Sequence, residues 1–182
     1  MKTNQNFTVT YILLAVAQMV ICNYFKVSPY VYITILPAMI LALPLKIGTI
    51  GSMAVAFVTG LGDKLFEGAD VELGVDFLAE GIIGLNALAL VPVALVRLPL
   101  LQMVMGDEDS GKENPFGARS ASFGRILLSV TIAYAIFTAV YVIADGAGVR
   151  PFWFNAARFG ASLICDSLLA LLVIHVLTPD AR

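Results

Sequence analysis

Asn155, Arg158, Ser162 and Asp166 recur at spacings of three, four and four residues near the end of the chain. On a helix these spacings bring all four side chains to one face. Phe154, Leu168 and Leu172 fall on the opposite, apolar face. The surrounding run, from Trp153 to Leu177, has the composition of a membrane-spanning helix. An Asp or Arg at the centre of such a helix costs about 2.5–3.5 kcal/mol on insertion scales, so the stripe should face protein or a water-filled cavity. Arg158 lies about one turn in and can snorkel to the outer surface. Asp166 lies deeper and needs a partner or a proton, with Gln18, Asn23 and Arg158 as the candidate partners. Three chemistries fit the stripe: hydrogen bonding that fixes the helix bundle, a groove for a partner's transmembrane helix, or a pocket for a small ligand. Just before it, Arg150-Pro151-Phe152-Trp153 reads as an interface anchor, a rigid turn followed by aromatics at headgroup depth. Arg150 could also meet an anionic lipid headgroup or a partner's carboxylate.

Reactive chemistry is sparse. The single histidine, His175, sits at the end of the last apolar segment and reads as a bystander. No HExxH, GxSxG or phosphate-cradling glycine loop occurs. Asp145-Gly146 followed by Arg150 matches part of the phosphatidyl-alcohol transferase motif. That chemistry requires several aspartates converging on divalent metal. Val142, Leu163 and Ser167 stand where the further aspartates belong, so that metal site cannot form. No catalytic residue, metal site or cofactor is expected. Cys22 and Cys165 both lie in apolar segments, which argues against a disulfide framework.

The elements that position these groups follow from composition. Hydrophobic residues make up 59% of the 182 and charged residues 13%, against about a quarter charged in soluble domains. Mean hydropathy is +0.90. The apolar residues form blocks near the ~20 residues a membrane helix requires. An all-α polytopic membrane protein is therefore expected, as one transmembrane domain over residues 1–182 with about six spans near 7–25, 30–45, 47–66, 82–103, 126–144 and 153–177. The first segment has one lysine and no small-residue cleavage site, and is expected to stay as a helix. Pro37 and Pro44 fall in or near the second span and are tolerated in membrane helices. The third is rich in small residues that permit close packing. The fourth should kink or break near Pro92 and Pro99, with Asn86 capping its start or satisfying freed backbone groups. Arg97 at its inner end is expected to fix topology.

With both termini inside, the inner segments hold Lys2, Lys46, Arg97, Lys112, Arg119, Arg125 and Arg182, and the outer ones Lys26, Lys64, Arg150 and Arg158. This asymmetry follows the positive-inside rule. The outer connection, 63–80, is acidic, and LGDKLFEGA from Leu61 is echoed by LGVDFLAEGI from Leu73. Those carboxylates read as a solvated surface. The inner loop, 106–122, is polar with Gly and Pro and reads as a flexible connection. Net charge is −2, which gives no ground for nucleic-acid binding.

One ordered set of residues resembles a known family. Gly74-Val75-Asp76, Gly81 and Gly84-Leu85-Asn86-Ala87-Leu88, the latter opening a span that contains Pro92, resemble the rod shape-determining membrane protein family MreD. The closing segment from Asp145 to Leu163, with Arg150, and the pair Cys22-Asn23 are similar to the version found in Bacteroides-like bacteria. The resemblance covers nearly the whole chain. About a dozen residues are inserted before the GLN motif, so the family's aspartate corresponds to Asp63 or Asp76, and GVDFLAEG favours Asp76. The resemblance implies a six-helix fold like the substrate-binding S-components of energy-coupling-factor transporters. It also implies a non-enzymatic scaffold of the cell-elongation machinery in the bacterial inner membrane, among membrane lipids. The implied main partner is MreC, and through it MreB, RodA and a class B penicillin-binding protein. The alternative is a solute-binding membrane subunit of an energy-coupling-factor vitamin transporter.

Overall fold

The computed structural model describes residues 3–24, 30–67, 84–105, 123–146 and 150–177. Over these residues the chain is all-helical. Its long helices are α1 (Thr3–Tyr24), α3 (Gly48–Glu67), α4 (Leu85–Met105), α5 (Phe123–Gly146) and α6 (Phe152–Leu177), and between α1 and α3 lies a short α2 (Leu36–Leu41). Four helices, α3 to α6, are long and apolar enough to cross a membrane. In α1 the apolar stretch is shorter, Phe7–Ile21. The acidic connection beyond α3, including Asp76, and the inner loop 106–122 lie outside the described residues.

The largest departure from expectation is the second span. Tyr30 lies in a turn, residues 31–34 belong to no helix, Ile35 leads with φ −102° and ψ −4° into an α2 of only six residues, and a 3-10 turn, Leu45–Ile47, follows. Six residues rise about 9 Å, against a hydrocarbon core of about 30 Å. The prolines that looked tolerable inside a helix in fact bound it. Pro37 stands in the first turn of α2, where its missing N–H does no harm but where its ring bars the helix from extending upstream. Pro44 pushes the residue before it out of helical geometry. Val31, Ile33 and Thr34, all β-branched, favour an extended run upstream of Pro37. Gly48 then turns the chain with φ +66° into α3, a left-handed conformation that glycine adopts without a Cβ clash.

This broken segment lies at the centre of the bundle. Residues 34–43 are all buried, and Leu36 to Leu41 form the heart of the apolar core with Leu90, Val93, Phe137 and Ala170 from α4, α5 and α6. The long helices surround it, with α1 turning an apolar stripe of Val9, Ile12, Leu13, Val16 and Val20 outward. Expected breaks at Pro92 and Pro99 do not appear: α4 runs through both as one helix.

Helices α3 and α4 approach closely at Gly60. A Cβ at Gly60 would stand 2.5 Å from the backbone nitrogen of Ala87, which only a backbone shift could relieve. Gly60→Ala is therefore expected to destabilise by about 1–3 kcal/mol. Gly160 offers the control, since a Cβ there meets nothing within 4 Å. Paired thermal melts in detergent should show a lowered midpoint for Gly60→Ala and an unchanged or slightly raised one for Gly160→Ala. Equal midpoints would mean that the α3–α4 contact is looser than this geometry.

Candidate functional site

The extended run and the short helix create a local problem. In the interior of a membrane domain, backbone N–H and C=O groups outside a long helix have neither water nor a helical partner, and each unsatisfied one costs several kcal/mol. Side chains from four surrounding helices solve it. Ser162 Oγ accepts a hydrogen bond from the Tyr32 amide at 2.9 Å, and Asp166 Oδ1 accepts one from the Thr34 amide at 3.0 Å. The registers match. Two residues of extended chain advance about 6.6 Å, and four residues of helix about 6 Å. Acceptors four apart on α6 therefore meet amides two apart on the extended run. From α1, Gln18 Oε1 accepts from the Ile35 amide at 2.8 Å. Thr34 Oγ1 accepts from the Leu36 amide at 3.3 Å, and the Thr34 carbonyl accepts from the Tyr134 hydroxyl of α5 at 3.0 Å.

The opposite end is held by a cation. Arg97 of α4 is fully buried, and its guanidinium donates to the carbonyl oxygens of Leu41, from Nε at 3.3 Å, and of Leu43, from Nη2. The short helix thus has a carboxyl group near its amino end and a guanidinium at its carboxyl end, the order that suits a helix dipole. Arg97, expected at a helix end, is instead a donor inside the bundle. An arginine between two prolines of an otherwise apolar helix was the available sign, because intramembrane ionisable residues mark sites by default.

Asn86, expected to serve the start of α4, also reaches across to the broken segment. Its Oδ1 accepts from the Tyr32 hydroxyl at 2.9 Å, and the Tyr32 ring stacks on Tyr141 at 4.2 Å. The motif glycine beside it, Gly84, has φ +89°, and its carbonyl closes the first turn of α4 by accepting from the Leu88 amide.

The upper part of the α6 stripe forms a separate cluster. Arg158 does not reach for the surface. It is buried, pairs with Asp145 at the end of α5, and lies 5.5 Å from the centre of the Tyr141 ring. Arg150 approaches the same Asp145 oxygen at 3.5 Å and covers the Phe154 ring at 5.3 Å. Asn155 is half-buried, and its Oδ1 has no donor among the described residues. Of the candidate partners for Asp166, Arg158 is taken by Asp145, Gln18 serves the neighbouring amide, and the Asn23 side chain lies outside the described residues. The backbone of Thr34 was not among the candidates, because a continuous second helix would have no amide to offer. Asp166 Oδ2 remains buried without a hydrogen-bond partner among the described residues.

Chemically, this arrangement holds and orients. Ser162, Asp166, Gln18, Tyr134 and Arg97 direct hydrogen-bonding groups at the backbone of residues 32–43 of the same chain. Comparison with known proteins yields no matching family, no matching curated protein and no matching solved structure.

Proposed function

We propose that this chain is a non-enzymatic scaffold of the bacterial cell-elongation complex, an MreD-like protein of the inner membrane that binds MreC with both of its own termini in the cytoplasm. MreC then links it to MreB, RodA and the class B penicillin-binding protein. The observation that carries this reading is the inward commitment of the polar side chains. Ser162 and Asp166, with Gln18 and Arg97, bond to the chain's own broken segment, as in a body built to keep its shape while its apolar flanks meet a partner's helix. The ordered residues from Gly74 to Leu88 and from Asp145 to Leu163 supply the family resemblance.

Co-purification in detergent with MreC of the same organism tests it. Near-equal amounts of the two proteins are expected. Failure of MreC to co-purify with folded protein would defeat the proposal.

One feature favours the solute-binding alternative. Interrupted helices beside buried polar groups form the binding sites of many transporters, and the oxygen Asp166 Oδ2 has no partner among the described residues. A small molecule released on denaturing the purified protein, with MreC absent, would decide for that reading.

A further inference from the structure

The junction of α5 and α6 holds two guanidinium groups against one carboxylate. Asp145 is shared by Arg158, which is nine-tenths buried, and by Arg150, whose side chain is 35% exposed. The cluster therefore has a net charge of one positive unit, and the uncompensated part faces outward on Arg150. Both arginines are held from behind by aromatic rings, Tyr141 and Phe154, so the exposed fork is pre-oriented. Arg158 Nε is buried without a hydrogen-bond partner among the described residues. Beside the cluster α6 begins; the Phe154 and Asn155 amides donate to the Pro151 carbonyl, and the two amides ahead of them, those of Phe152 and Trp153, have no carbonyl within the helix to bond. Its first two side chains, Phe152 and Trp153, are 87% and 63% exposed, which suits the boundary between apolar membrane and water.

We propose that Arg150, set beside Arg158 and the first turn of α6, binds the anionic phosphodiester of a membrane lipid headgroup. A planar guanidinium matches two phosphate oxygens at once, and a helix amino end adds favourable dipole and N–H groups. The apolar run that starts at Phe152 gives the acyl chains a surface to lie along. A soluble phosphate shares the headgroup chemistry but would make no use of that surface. This site is independent of MreC binding, so either proposal can fail alone.

The chain reports on the site itself, because Trp153 is its single tryptophan. The protein in uncharged micelles is titrated with phosphatidylglycerol or phosphatidylcholine carrying brominated acyl chains, and quenching of Trp153 is followed. Phosphatidylglycerol should reach half-quenching at an about fivefold lower mole fraction, the effect of one cation near an anionic lipid. Arg150→Gln should abolish that preference and Arg150→Lys keep part of it. Asp145→Asn should increase it, a change of sign that mere loss of structure would not produce. Inorganic phosphate that reverses the quenching would assign the site to a soluble phosphate; quenching that persists in its presence assigns the site to lipid. Equal quenching of the wild type by both lipids, or a preference that Arg150→Gln leaves intact, overturns the proposal.

Discussion

Asp166→Leu should lower the thermal midpoint of the purified protein by about 5–10 °C, while Asp166→Asn should stay close to wild type. Leucine removes the acceptor that holds the Thr34 amide. A buried donor left without a partner costs about 1–3 kcal/mol, and in a chain of this length each kcal/mol moves the midpoint by about 2–4 °C. Asparagine keeps an oxygen in the place of Oδ1 and puts its amide where Oδ2 has no hydrogen-bond partner. Melts followed by tryptophan fluorescence or by loss of the monodisperse chromatographic peak would measure both. If asparagine proves as damaging as leucine, the charge of Asp166 matters and the acceptor account fails.

Arg97→Met should be more damaging, by about 3–5 kcal/mol, because two buried carbonyls, those of Leu41 and Leu43, lose their donor together. An opposing effect reduces the loss: methionine also removes a buried cation whose desolvation is expensive. The carbonyls prevail because Leu41 and Leu43 are buried in the core, where a carbonyl that loses its donor bears the full cost of desolvation. Arg97→Lys should recover part of the stability, since an ammonium can reach one carbonyl more easily than two. Asp166 and Arg97 hold opposite ends of one six-residue helix, so the double variant Asp166→Leu/Arg97→Met should lose less than the sum of the two. Strict additivity would show that the two ends are held independently.

The sequence made some of this visible and hid the rest for physical reasons. Length and hydropathy carry the four long apolar helices, because they are properties of each segment alone. The phase of Arg158, Ser162 and Asp166 was equally legible, since helical spacing fixes a face whatever lies opposite. What lies opposite was not legible. The second segment satisfies its backbone through side chains from four other helices, and no local pattern encodes such long-range bonds. Pro37 and Pro44 were the visible sign, but prolines in membrane helices are common enough to read either way. Asp145 had been set aside with a motif that cannot form, yet it partners both arginines across a short connection. Only the antiparallel pairing of α5 and α6 reveals that.

The bonds that complete the broken segment impose an order on the making of the protein. The Tyr32 and Thr34 amides wait for acceptors that lie 130 and 132 residues further along the chain. A ribosome releases the amino-terminal half long before it has translated Ser162 and Asp166. Until then the segment cannot settle as an independent membrane span, for its helix is too short and the Tyr32 and Thr34 amides lack these acceptors. Helix α6 therefore supplies the step that closes this segment. A nascent chain cut before it would keep an unsealed interior, the kind of lesion that membrane quality-control proteases remove.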